Sequence, residues 1–230
     1  MTSVRKLAIL AGISYLITHV TSVVALILYG PVLNDANFIF QTSADAENSV
    51  LGGAFLEVIL VFAIVATAVT LYPVVKKQNE AVALGYVGLR TLEASIISVG
   101  IITLLAIVTL RGSQVGPLGI GTSPDDLRAL GRALLAIHNW TFLVGPGFTS
   151  GVDTVLMAYL MFKSNLVPRF IPILGLIGGP LVFGSATATL FGLQAQYSNG
   201  PALLALPEFA WELSLAIYLI VKGFKPTTLV

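Results

Sequence analysis

Arg90 and Glu93 stand three residues apart, so any helix that carries them presents both on one face, with Tyr86 one turn earlier. Glu208 and Glu212 are four apart, with Trp211 beside them. Asp153 closes a stripe through His138, Phe142, Gly145 and Thr149 at helical spacing, and Trp140 lies close to its start. His19 shares a helical face with Tyr15 and Ser22, and Glu57 sits within another apolar run. A protonated carboxyl beside an ionised one is the pairing general acid–base chemistry uses, one giving a proton and the other taking it. Glu93, Glu212, Asp153 and Arg90 are therefore the candidate catalytic set. His138, Glu57, Glu208, Trp140, Trp211, His19 and Tyr86 are the candidate ligand contacts.

Plainer readings stand beside these. Arg90 with Glu93 could be a structural ion pair, and Glu212 could reach Arg90 from another helix. Asp153 could be protonated and bonded to a backbone carbonyl, and His19 could be a packed core histidine. Glu57 and Glu208 fall nearer a helix end, within reach of water. Trp140 and Trp211 read first as interfacial aromatics. Five acids (Glu57, Glu93, Asp153, Glu208 and Glu212) against one arginine nevertheless exceed what pairing needs. Glu, Asp and His could hold a metal, yet no Glu-x-x-His or His-Glu-x-x-His spacing occurs, so neither metal nor cofactor is expected. No Gly-x-Ser-x-Gly elbow supports serine nucleophile chemistry.

The elements that must position these residues follow from composition. Of 230 residues, 56% are hydrophobic and 10% charged; soluble domains carry about 25% charged residues. That excess of apolar surface needs lipid as its solvent. A net charge of +1 provides no basic stripe for nucleic acid. Without cysteine there are no disulfides and no thiolate chemistry. Six stretches are long enough to span: 7–29, 51–73, 81–110, 139–163, 168–193 and 201–221. The first is too long for a signal-peptide core.

Arg5, Lys6, Lys76, Lys77, Lys163, Arg169, Lys222 and Lys225 fall on one side of a six-span arrangement, which puts both termini in the cytoplasm. The fold class is thus all-α, one polytopic transmembrane bundle over 1–230. Ser123, Pro124, Asp125 and Asp126 form a helix start. A single helix over 123–163 would run about 60 Å, twice the hydrocarbon thickness. The expectation is an outer-surface helix carrying Arg128 and Arg132 that runs into span four and kinks near Pro146. Seven spans is the alternative. Gly175 and Gly179 allow close backbone approach, either inside the bundle or in a homodimer.

Counting from the helix ends places Arg90, Glu93, Asp153, Glu212 and His19 about 14–18 Å deep, near the midplane of a core about 30 Å thick. None can face lipid cheaply, so they should meet around a polar chamber opening toward the outer leaflet.

Several runs together resemble the bacterial membrane-protein family known as domain of unknown function 4386: AGISY at 11–15, RTLEA at 90–94, KSNLVPRFIPILGLIGG at 163–179 and ELSLAIYLIVKGF at 212–224. The resemblance covers essentially the whole chain. It implies a bacterial cytoplasmic-membrane protein with helices in this order and makes Arg90, Glu93 and Glu212 part of the family pattern. It implies no activity. The residues themselves point to an enzyme or binding protein for a lipophilic small molecule, with membrane lipid as its surroundings. The rivals are a proton-coupled transporter or exporter and a non-catalytic scaffold. An enzyme predicts a closed pocket, a transporter polar access to both faces, and a scaffold no cavity.

Overall fold

The computed structural model describes residues 2–35, 37–41, 43–112 and 123–226. Among them there is no strand. The helices are α1 (Ser3–Leu28), α2 (Gly30–Asn34), α3 (Ala44–Val75), α4 (Glu80–Gly112), α5 (Pro124–Phe142), α6 (Ser150–Ser164), α7 (Phe170–Leu190) and α8 (Asn199–Val221). A 3₁₀ turn, Phe38–Phe40, precedes α3, and a π-helical segment, Leu143–Thr149, joins α5 to α6. Five helices (α1, α3, α4, α7 and α8) are long and apolar enough to cross a membrane. The chain is a helical membrane bundle. Large side chains such as Phe62, Ile27 and Ile102 point outward from it, as lipid-facing residues do.

The expected span over 139–163 is divided between the end of α5, the π segment and α6. The backbone stays right-handed helical at both junctions, so the three pieces form one rod. Ser123 caps α5 by accepting from the amide of Asp126, with Pro124 in the first turn and Asp125 and Asp126 against the helix dipole. At Pro146 the helix widens to a π turn, where a kink was expected. Proline offers no N–H and its ring crowds the preceding turn, and the wider winding relieves both.

The long rods close into a ring: α1 packs on α3, α3 on α4, α4 on the π segment and α6, α6 on α7, α7 on α8, and α8 back on α1. Arg5 ties the ends of this ring together by donating to the carbonyls of Leu219 and Ile220 at 2.7 and 2.6 Å, where α8 leaves its last acceptors open. The amide of Lys225 donates to Leu166 at 2.8 Å, so both termini and the α6–α7 turn share one end.

Small residues set the spacing. A Cβ on Gly175 would lie 2.8 Å from the Trp211 ring, and one on Gly179 would lie 2.5 Å from the carbonyl of Gly151. The glycine face of α7 is therefore spent on α8 and α6 within the bundle. Trp211, expected at an interface, is buried against Gly175.

Two apolar clusters stack along the ring axis. At the end holding the termini, Ala11, Leu71, Val75, Met157, Leu160 and Leu215 are fully buried among one another. The second cluster, with Ile64, Ile97, Ile101 and Leu104, is confined to the α1–α4 side of the other half. Opposite it, between α8, α7 and the π segment, the space is a cavity.

Candidate functional site

The layer between the two clusters is polar and centred on Arg90. Its Nη1 donates to Glu93 Oε2 at 3.0 Å, one helical turn along α4. Its Nη2 donates to Glu212 Oε1 on α8 at 2.5 Å. Nε donates to the Tyr86 hydroxyl at 3.3 Å and lies 3.6 Å from Asp153 Oδ1 on α6. The guanidinium also lies over the Tyr15 ring, 5.5 Å from its centroid. Three carboxylates from three helices thus converge on one cation. Asp153 is fully buried, and among the described residues neither of its oxygens has a hydrogen-bond partner.

Beneath this hub the hydroxyls form a directed file. Thr67 donates to the carbonyl of Ile64, and Tyr86 donates to Thr67 Oγ1 at 3.3 Å. With the Tyr86 proton so placed, Tyr15 is the donor in the 2.9 Å contact between the two phenols. His19 lies on the facing side of α1. Its Nδ1 is 2.9 Å from the carbonyl of Tyr15, an acceptor only, so Nδ1 carries a hydrogen and donates it there. The same ring is 3.8 Å from Glu212 Oε2 and 4.6 Å from Phe209.

A second polar layer lies toward the opposite end from the termini. Glu208 Oε1 accepts from Ser150 at 2.6 Å and Thr154 at 2.8 Å. Gly178 makes this possible, since a Cβ there would come within 2.4 Å of the Glu208 amide. Glu57 Oε2 accepts from Tyr29 at 2.8 Å, and His138 donates from Nδ1 to the carbonyl of Gly100 at 3.3 Å. Tyr29 meets the His138 ring edge-on at 5.7 Å. Glu57 and Glu208 are both buried.

Three cavities adjoin these layers. One of about 210 Å³ is bounded by Arg90, Glu93, Glu212 and Glu208 with His19. One of about 200 Å³ lies against Glu57, His138 and Tyr29. The largest, about 490 Å³, is mostly apolar, with Phe142, Val182 and Ala186 among its walls and Glu208 at its edge. Pro146 lines all three, so they meet at the π segment. The loop 191–198 borders the largest cavity. It is held by Gln196 and Tyr197, which donate to the backbone and side chain of Asn139 at 3.0 Å. The phenol of Tyr197 is pushed up to about 12, first by partial burial and then by the charge of Glu57.

The model of the family described as domain of unknown function (DUF4386) matches residues 10–223. The chain belongs to this family. The match takes in the whole Arg90 hub and both polar layers but leaves out Arg5 and Lys225, so the DUF4386 region is the ring and its interior. Among curated proteins and among solved structures nothing matches the chain.

Of the residues singled out from the DUF4386 sequence, Arg90, Glu93, Glu212, Asp153, Tyr86 and His19 come together. Glu208 adjoins them through a shared cavity. Glu57 and His138 form their own group around Tyr29. Trp140 stands apart, half-exposed on the outer surface, and Trp211 packs behind the site. Sequence reasoning passed over Tyr29, Thr67 and Thr154, and it weighed Ser150 beside Asp153 only as a nucleophile, for which the spacing is too weak. Hydroxyls at these positions carry no distinctive spacing, and only the ring order shows which carboxylate each one meets. Among the described residues, no three His, Asp or Glu side chains are grouped so as to hold a metal ion.

Proposed function

We propose that this family member is a membrane-embedded enzyme or binding protein for a lipophilic small molecule, with Glu93 or Glu212 exchanging a proton with the ligand. Arg90 holds the charge of the other carboxylate. The chain crosses the bacterial cytoplasmic membrane six times with both termini inside, and the rod from α5 to α6 supplies the fourth span. In that orientation the hub lies near mid-depth and the chamber opens outward.

The observation that carries this reading is the chamber floor: three carboxylates on one guanidinium, with Arg90, Glu93 and Glu212 facing a cavity, above a dense apolar cluster. One arginine offsets one carboxylate. The remaining charge has to be met by protons or by a ligand, since hydrocarbon surroundings do not tolerate it. A scaffold whose charges only fix helix register has no need of adjoining cavities. A transporter needs polar access to both ends, and the fully buried cluster of Leu71, Met157, Leu160 and Leu215 stands against that.

The test is occupancy. The chain is purified in nanodiscs, and its bound lipophilic molecules are extracted and identified by mass spectrometry. Ala205→Phe fills the junction of two cavities without replacing a charged residue. A folded A205F variant that has lost the bound species supports the reading. A parent chain carrying only bulk lipid, in the same amounts as A205F, overturns it.

A further inference from the structure

Glu208 differs from the other acids of the polar interior. Arg90 is already committed, with Glu93 and Glu212 on its two terminal nitrogens and Tyr86 and Asp153 at Nε. Glu57 has its phenol donor. Glu208 has two hydroxyl donors on Oε1, while among the described residues Oε2 has no hydrogen-bond partner and no basic side chain lies within ion-pairing distance. The side chain is nonetheless about nine-tenths buried, being 8% exposed, and it borders both the 210 Å³ and the 490 Å³ cavities. Ser150 and Thr154 fix the carboxylate from one side, and the other side faces the chamber.

A buried carboxylate held by neutral donors and open to an apolar cavity is a receptor for a cation with an apolar body. The two adjoining cavities differ in a matching way. The larger is walled by Phe142, Val182 and Ala186, and its polar groups are neutral apart from Glu208. The smaller carries further acids, and its one arginine is saturated. Asp153, fully buried and without a hydrogen-bond partner among the described residues, adds a third carboxyl group to the one guanidinium. An anionic ligand would meet Glu208 in either cavity and Glu93 and Glu212 as well in the smaller one.

Resting on the reading of the chamber as a site for a lipophilic molecule, we infer that its ligand is a lipophilic amine. The ammonium group donates to Glu208 and the apolar body fills the 490 Å³ cavity beside the π segment. The binding step involves no covalent change: an ammonium hydrogen bonds the free carboxylate oxygen, and water leaves the apolar walls.

The experiment compares 4-phenylbutylamine with 4-phenyl-1-butanol, which share an apolar body and differ in charge at neutral pH. Binding to the full chain in nanodiscs is read by equilibrium dialysis and by the shift in thermal unfolding. The amine is expected to bind at least ~10-fold tighter than the alcohol, and Glu208→Gln is expected to bring the two affinities together. Glu208→Asp keeps the charge and should retain a preference for the amine, which covers the case of a poorly folded amide variant. Equal binding of the two probes to the parent chain overturns the amine assignment and leaves the lipophilic-ligand reading standing. An amine preference that survives Glu208→Gln in a folded protein also overturns it. If neither probe binds the parent chain, the assignment fails, and the occupancy experiment with A205F decides the underlying reading separately.

Discussion

Arg90 and Glu212 are joined at 2.5 Å although α4 and α8 stand across the ring from each other rather than side by side. The pair therefore bridges the chamber floor and couples two halves of the bundle that share little other surface. Arg90→Ala leaves three buried carboxylates without their cation and should cost ~3–5 kcal/mol. Glu212→Gln keeps an acceptor for Nη2 and relieves one surplus charge, so it should cost well under half of that. Thermal and denaturant unfolding in a mild detergent reads both. Equal losses for the two variants would mean the hub is a simple ion pair with no surplus of negative charge.

Arg90→Lys probes the same hub from the donor side. The guanidinium spreads its donors over α4, α6 and α8, whereas an ammonium is a single point that cannot hold Glu93 and Glu212 in the same forked geometry. R90K should fold and yet bind the chamber ligand at least ~10-fold more weakly. Dialysis with the phenylbutyl probes measures this, and undiminished binding would show that the fork has no part in shaping the floor.

The convergence of Arg90, Glu93, Asp153 and Glu212 was legible in the sequence because depth counting and the need of a buried arginine for anions bear on each helix separately. The partners of Glu57 and Glu208 were not. Placed near helix ends, both were open to a reading in which they reach water, but Tyr29 comes to Glu57 from the end of α1 and Ser150 and Thr154 come to Glu208 from α6. Which hydroxyl meets which acid depends on ring order, and apolar periodicity around nearly uniform helices does not encode it. Trp211 shows the same limit. Its type suggests an interface, whereas the absence of a Cβ on Gly175 opens a slot for it in the interior.

The α7–α8 contact makes a prediction with its own control. A methyl on Gly178 would meet the backbone of Glu208 at 2.4 Å, and backbone cannot swing aside as a side-chain tip can. Gly178→Ala should cost ~1–3 kcal/mol, as overpacking does. Gly184, on the same helix, has nothing within 4 Å of its would-be Cβ. Gly184→Ala should be neutral or slightly stabilising, because alanine gives up less backbone freedom in a helix. Melting curves of the two variants side by side decide it, and similar losses would argue that α7 is sensitive to any added methyl.

Arg111, at the last turn of α4, is buried and holds the segment before α3. It donates to the carbonyls of Gln41 and Ser43, the latter at 2.7 Å, reaches Glu47 at 3.2 Å and lies over the Phe38 ring. Arg111→Ala should free residues 37–41 and Ser43, with cleavage there by a soluble protease rising at least ~10-fold while the ring stays folded. Mass spectrometry of the fragments locates the cut. Unchanged protection of this segment would assign its order to Phe38 and Ile39 alone.

Pro146 supports the last prediction, because it touches all three cavities and sits in the only π-helical stretch among the described residues. A π turn takes up about one extra residue, which rotates the helix on one side of it by about 100° relative to an unbroken α-helix. α6 has little freedom to rotate, since Gly151 is interlocked with Gly179 and Asp153 lies against Arg90. Pro146→Ala restores an N–H and removes the ring that crowds the turn, so the segment is free to tighten toward α geometry. The rotation would then fall on α5, drawing His138 away from Gly100 and altering the walls that Phe142 and Leu143 give the large cavity. P146A should unfold within ~1 kcal/mol of the parent chain, because a helix-breaking residue is replaced by a helix former, yet bind 4-phenylbutylamine at least ~10-fold more weakly. Unaltered binding at unaltered stability would show that the π turn merely accommodates a proline and does not shape the chamber.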